Sequence, residues 1–145
     1  MREILFRAKA INRDKGYHRS NYKNGDWVYG LITRMHDDRF EDLPAEMTDE
    51  NGVSGIEIDH NTLCQYTGLT DKNGNKIWEN DVVKGSHWAE PETLHHFKVD
   101  WSSESGLIDF QESPTTDAVL SMFDFYNFEE VEVIGNIFDN PDLLQ

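Results

Sequence analysis

The β-prone runs of this chain are short, and turn-forming residues close off each of them. "DWVYGLIT" (26–33), "KIWENDVVKG" (76–85), "HHFKVDWSS" (95–103) and "GLIDFQE" (106–112) are β-branched and aromatic. Between such runs lie polar stretches such as "NRDKGYHRSNYKNGD" (12–26) and "DDRFEDLPAEMTDENG" (37–52). Runs this short, without regular helices between them, exclude a doubly wound α/β sheet. They predict a mainly β fold of about seven antiparallel strands, arranged as a small barrel or sandwich.

The individual readings follow from alternation and punctuation. "EILFRAKAI" (3–11) predicts a first strand with Ile4, Phe6 and Ala8 on one face and Leu5 and Arg7 on the other. Pro44 predicts one helical turn within the 37–52 loop, since proline fits a first helical turn. "GIEIDHNTLCQYTG" (55–68) sets Ile56 and Ile58 against Glu57 and Asp59, the pattern of a half-exposed strand. The only convincing helix is 113–125, "SPTTDAVLSMFDF". Thr115 or Thr116 would cap it, with Asp117 in its first turn and an apolar stripe of Val119, Leu120, Met122 and Phe123. "EVEVIGNIFD" (130–139) predicts a closing strand, and "NPDLLQ" a turn with an apolar latch.

At 145 residues one domain is expected, divisible into two small β subdomains with a boundary near 60–85. An echo points the same way. "NGDWVYG" (24–30) and "ENDVVKG" (79–85) both place an Asp before an apolar strand that ends in Gly. Over so few positions, coincidence is the simpler reading.

Charge restricts function more than composition does. The formal net charge is −15. Residues 1–40 carry nine Lys/Arg against five Asp/Glu, a net of +4, while residues 41–145 carry four against twenty-three, a net of −19. An acidic body repels phosphates at long range, so nucleic acid is not the expected partner of the surface as a whole. The basic start (Arg2, Arg7, Lys9, Arg13, Lys15, Arg19, Lys23) could pair with the chain's own acidic part, a neighbouring subunit or an anionic partner. The N-terminus has no signal-peptide h-region and no run suits a membrane helix, so a soluble cytoplasmic protein is expected. The single cysteine, Cys64, suits a reducing compartment, and His60 four residues earlier makes no nucleophile signature.

"QYTGLTDKNGNKIWENDVV" (65–83) is the most organised stretch. Asp71, Asn73 and Asn75 imitate the first, third and fifth ligands of a calcium loop. The sixth position should be Gly and is Lys76; the twelfth should be Glu and is Val82. A hairpin accounts for the same residues: Gly74 takes a positive φ, and Asp or Asn bonds the local backbone. The stretch also resembles the signature of the YopX family of phage and prophage proteins, with Tyr66-Thr67-Gly68-Leu69, Asp71-Lys72-Asn73-Gly74 and Ile77-Trp78-Glu79-Asn80-Asp81-Val82-Val83. "REILFRA" (2–8) and "VIGNIFDNPDLL" (133–144) are similar to that family's opening and closing blocks. Asn80 departs from the family's Gly, and Asn is the next residue most tolerant of positive φ, so a turn is expected there. The resemblance implies a barrel-containing, mostly β architecture and a bacterial host cell. It brings no activity, catalytic residue or cofactor, and it leaves self-association open.

No catalytic, cofactor or metal residues are therefore assigned. His87, His95 and His96 with Glu90, Glu92 and Asp100 are the nearest approach to a zinc set. Adjacent His95 and His96 would face opposite sides of a strand. The carboxylate pairs Asp37-Asp38 and Glu129-Glu130 are expected by chance among 28 acidic residues. Trp27, Tyr29, Tyr66, Trp78, Trp88 and Trp101 could stack bases, but interleaved cations are few: Lys72, Lys76 and Lys84 face Asp71, Glu79 and Asp81, so core packing is expected. The reading that remains is a non-enzymatic module that binds a host or phage protein. The alternatives are nucleic-acid binding through the basic start and an unrecognised hydrolase.

Overall fold

The computed structural model describes residues 3–12, 21–40, 43–102, 108–112, 119–121 and 124–144. The chain divides into two compact units, Met1–Gln65 and Tyr66–Gln145.

The first unit contains β1 (Phe6–Ala10), β2 (Trp27–Arg34), β3 (Ala45–Asp49) and most of β4 (Ile56–Thr70). All pairings are antiparallel. β1 pairs with β2, β2 with β3, β3 with β4, and β4 back to β1, so the ladder returns on itself without forming a regular barrel. Ala8, Ala10, Val28, Ala45, Met47, Ile56 and Ile58 form the core. Small residues on β1 suit this closure, because four short strands leave little room inside. Ile4 is exposed while Leu5, Arg7 and Ala8 are buried, so the predicted alternation of "EILFRAKAI" is not the observed one. β1 has neighbours on both edges, and Arg7 on its outer face is covered too.

The β1–β4 ladder slips. Arg7 pairs with Cys64 but Lys9 pairs with Asp59, which leaves residues 60–63 as a bulge. Thr62 stitches it: its hydroxyl accepts from the Lys9 N–H at 2.8 Å and donates to the Asp59 carbonyl at 2.7 Å. The bulge turns His60 outward, where its ring stacks on His36 at 3.9 Å.

The second unit begins with the end of β4 pairing with β5 (Lys76–Trp78). A five-stranded antiparallel sheet follows in the order β10-β6-β7-β8-β9, from β6 (Asp81–Ser86), β7 (Leu94–Trp101), β8 (Ile108–Gln111), β9 (Val119–Ser121) and β10 (Glu132–Asn136). Its core is Ile77, Val83, Phe97, Val99, Phe110, Phe125 and Val131. Phe125 meets Phe97 and Phe110 edge to face, with centroids 5.0 and 4.7 Å apart, the favoured arrangement of ring quadrupoles. A methyl on Gly85 would lie 2.8 Å from the Phe125 ring, so this position packs only glycine without movement.

The class is mainly β, as the punctuated runs imply, but two local expectations fail. Val119–Ser121 is strand, not helix, paired to Gln111, Phe110 and Asp109 of β8. The rest of the predicted 115–125 helix falls largely outside the described residues. A free strand edge on β8 is available to this segment, and pairing overrides its local helical pattern. Likewise Ala45–Asp49 after Pro44 is β3, not a helical turn. Ala45 and Met47 fill the core by alternation and β4 supplies the ladder.

"KIWENDVVKG" is two strands, not one, and Asn80 makes the break with φ 66°. Its N–H donates to the Val99 carbonyl at 2.8 Å and its own carbonyl accepts from Ile137 at 3.0 Å. The left-handed conformation disfavours β-branched residues by about 1–2 kcal/mol. Asn80→Gly should leave the thermal midpoint unchanged or higher, whereas Asn80→Val should lower the unfolding free energy by about that amount in urea titration.

Candidate functional site

Asp71, the first residue of the calcium-like spacing in the signature stretch, is 6% exposed and its oxygens are already occupied. One accepts the N–H groups of Asn73 and Asn75, both at 2.9 Å. The other accepts the Val133 N–H at 3.0 Å and the Asn75 side-chain amide at 3.4 Å. Burial works against the charge, but the N–H donors of Val133, Asn75 and Asn73 outweigh it and hold the carboxyl below its ordinary range. Gly74 turns at φ 80° and Lys72 N–H donates to the Val131 carbonyl. The stretch is therefore a hairpin turn tied to β10.

The first unit contains the same device. In Asp49-Glu50-Asn51-Gly52-Val53 the carboxylate of Asp49 accepts from Asn51 at 3.0 Å and Val53 at 2.8 Å, and Gly52 turns at φ 82°. Here the second oxygen takes the Tyr22 hydroxyl at 2.8 Å. Burial, the hydrogen bond to Asp49 and that carboxylate's charge push the Tyr22 phenol up to about 12.

The echo of 24–30 and 79–85 also has a common geometry. Asp26 accepts the N–H of Lys23, and Asp81 accepts the N–H of Trp78, each three residues back and each at 2.8 Å. The intervening Gly25 and Asn80 both have positive φ. Both units thus start a strand, β2 and β6, from an Asp-closed turn.

The closing block is a turn as well. Asn136 accepts from Phe138 and Asp139 and donates to the Asp139 carboxylate at 3.0 Å. This sets Pro141–Leu144 beside β7, where His96 Nδ1 donates to the Leu143 carbonyl at 2.8 Å.

The zinc-like set does not converge. His96 is engaged with Leu143. His95, on the other face of β7, meets Glu112 at 2.6 Å and Glu90 at 3.3 Å. His87 accepts the Ala89 N–H, and Asp100 lies near Lys98. Among the described residues no group of three or more His, Cys, Asp or Glu is gathered as metal binding requires. Asp37 forks with Arg39 while Asp38 meets His36, so this pair diverges. Glu129 and Glu130 lie in the first turn of a 3-10 helix, Phe128–Glu130. Cys64 is buried, its thiol against the Thr62 carbonyl.

The aromatics separate into two kinds. Tyr66 and Trp78 are core residues, with rings 5.5 Å apart, as expected. Trp27 lies under the guanidinium of Arg7 at 4.5 Å and the ammonium of Lys9 at 5.3 Å. Trp88 and Tyr29, expected in the core, are instead 63% and 36% exposed, and so are two residues that sequence reasoning passed over, Leu94 at 61% and Tyr126 at 65%. An alternation reading from Phe125 inward would have placed Tyr126 outside.

Two predictions test the carboxylate turns. Asp71→Ala strands buried N–H donors, so unfolding free energy should fall by on the order of 2–3 kcal/mol. Asp71 and Asp49 titrate below 3.8 when folded. Their stabilisation is present above that value and is lost as pH falls through the depressed folded values. Tyr22 has the opposite sign. Its raised value gives stability that is present below pH 10 and lost as pH rises towards about 12. A thermal-midpoint series from pH 9 to 12 should fall steeply for the wild type and less for Tyr22→Phe.

The chain matches the family model described as YopX protein over residues 6–145. Two solved structures resemble it along essentially their whole length. Protein EF1440 from Enterococcus faecalis is 22% identical, with a TM-score of 0.53 and 99% of each chain covered. Protein yopX from Bacillus subtilis is 19% identical, with a TM-score of 0.50 and 100% of each chain covered. At these identities the likeness shows the fold alone. No curated protein matches the chain. The three motif blocks, the two-unit β architecture and the family match agree: the chain belongs to the YopX family.

Proposed function

We propose that this protein is a non-enzymatic accessory protein of a phage or prophage that acts in the bacterial cytoplasm by binding another protein through an acidic surface. The observation that carries the reading is the placement of charge. Residues 66–145 hold four Lys/Arg against sixteen Asp/Glu, a net of −12, whereas residues 1–65 hold nine against twelve, a net of −3. Asp71 and Asp81 are consumed inside the second unit, but Glu90, Glu92, Glu129, Glu130, Asp139 and Asp142 are exposed. A surface of one sign steers a basic partner and repels phosphate.

Nucleic-acid binding through the basic start is the alternative; two of its seven cations, Arg7 and Lys9, are already engaged, while Lys23 is exposed. Arg7 is 6% exposed, and it and Lys9 lie over Trp27. Arg2, Arg13, Lys15 and Arg19 lie outside the described residues. A hydrolase is the other alternative; the two aspartates of the signature stretch, Asp71 and Asp81, are engaged in turns. No helix among the described residues is long and apolar enough to cross a membrane.

Filter binding and affinity capture from a bacterial host test the proposal together. The expected outcome is no retention of single- or double-stranded nucleic acid even at low salt, with a nuclease-resistant protein partner released by high salt. Recovery that disappears on nuclease treatment would overturn it.

A further inference from the structure

The outer face of the second unit's sheet ends in a patch of three large exposed side chains. Ser86 of β6 pairs with Leu94 of β7, and residues directly opposite in an antiparallel pair share a face. On the other side of β6, His87 bridges Phe125, and the Tyr126 N–H donates to the Ser86 carbonyl at 2.8 Å. Phe125 points into the core, so its neighbour Tyr126 lies on the outer face by alternation. Leu94 and Tyr126 therefore flank Ser86, with backbones about two strand spacings, ~9–10 Å, apart. Trp88, two residues beyond Ser86, extends the patch, and its N–H is held by the Asp124 carbonyl at 3.0 Å. The loop that bears it is fastened by two further turns, Glu90 N–H to His87 and Thr93 N–H to Glu90, both at 3.0 Å.

The segments that bear the patch carry carboxylates and no Lys or Arg: 85–97 and 119–131 contain Glu90, Glu92, Asp124, Glu129 and Glu130. Glu92, Glu129 and Glu130 are exposed, Glu90 is exposed but also reaches His95 at 3.3 Å, and the Asp124 carboxylate accepts from Ser121. The nearest cation on this face, Lys84, is paired with Glu132 at 3.3 Å. Large apolar groups gathered on one face beside carboxylates are the features of a docking site, because contiguous apolar exposure, unlike scattered single residues, marks interaction surfaces.

We propose that Trp88, Leu94 and Tyr126 form the docking site for an extended basic segment of a partner protein. An apolar side chain of that segment sits over Ser86 between Leu94 and Tyr126, and flanking Lys or Arg residues meet the exposed Glu92 and, in exchange for its His95 contact, Glu90. The proposal rests on the protein-binding reading above and gives it a place and a partner chemistry. Phosphate-bearing ligands are excluded by the five carboxylates.

The test is selection of random displayed peptides on the immobilised full chain, followed by fluorescence anisotropy with the enriched peptides. The variants are Trp88→Ala, Tyr126→Ala and Glu90→Gln/Glu92→Gln. These side chains are exposed, and unchanged thermal midpoints would show that each variant folds. The expected result is enrichment of peptides with an apolar residue beside Lys or Arg. Each aromatic variant should bind them at least tenfold more weakly, and the charge variant should lose most of the salt dependence. Peptides that bind the variants as tightly as the wild type would overturn this site while leaving the protein-binding reading intact. Recovery of no peptides, or of acidic ones, would overturn it as well. Sedimentation of the wild type and Trp88→Ala covers the remaining occupant: association abolished by the substitution would mean that a second copy covers the patch, and the proposal would fall.

Discussion

In both units, a buried aspartate that accepts backbone N–H groups makes the turns on which the strands depend. Asp71 gathers Asn73, Asn75 and Val133; Asp49 gathers Asn51, Val53 and the Tyr22 hydroxyl. A carboxylate taken from water is unfavourable unless donors replace its hydration. Here the donors are the N–H groups that a tight turn leaves without strand partners. Each problem solves the other. Short strands with no helix to brace them have little stability of their own, so the turns must hold register.

The same economy gives the chain's most recognisable residues structural tasks. Asp71, Asn80, Asp81, Asn136 and Gly85 look functional when read as text, being acidic, amide-bearing or small. In the fold, Asp81 caps the turn from Trp78, Asn80 supplies a left-handed residue, and Asn136 winds the closing turn. Gly85 leaves room for Phe125. Acidic residues divide into those that build turns and those left outside, and the second group gives the surface its character.

One sheet face of the second unit is partly covered. Pro141–Leu144 lies beside β7 at His96, while Leu94, two residues away on that face, is exposed, as are Trp88 and Tyr126. The core side of the same sheet is filled by interlocking phenylalanines. In the docking we propose, these exposed side chains are where the fold meets its partner.

Sequence alone determined the class, the turn at Asp71 to Gly74, the turn at Asn80, and the family, because these rest on local chemistry: alternation, positive φ and side-chain-to-backbone bonds between near neighbours. It also showed that the charge is lopsided. Tertiary structure decided what depends on distant partners. Val119–Ser121 became a strand because the edge of β8 was open to it. Ala45–Asp49 became a strand because β2 and β4 flank it. Trp88 was left outside although tryptophan is usually buried, since its place beyond Ser86 puts it past the last covered row of the sheet. Pairing across the sheet is non-local, so no window of sequence contains the information that selects it.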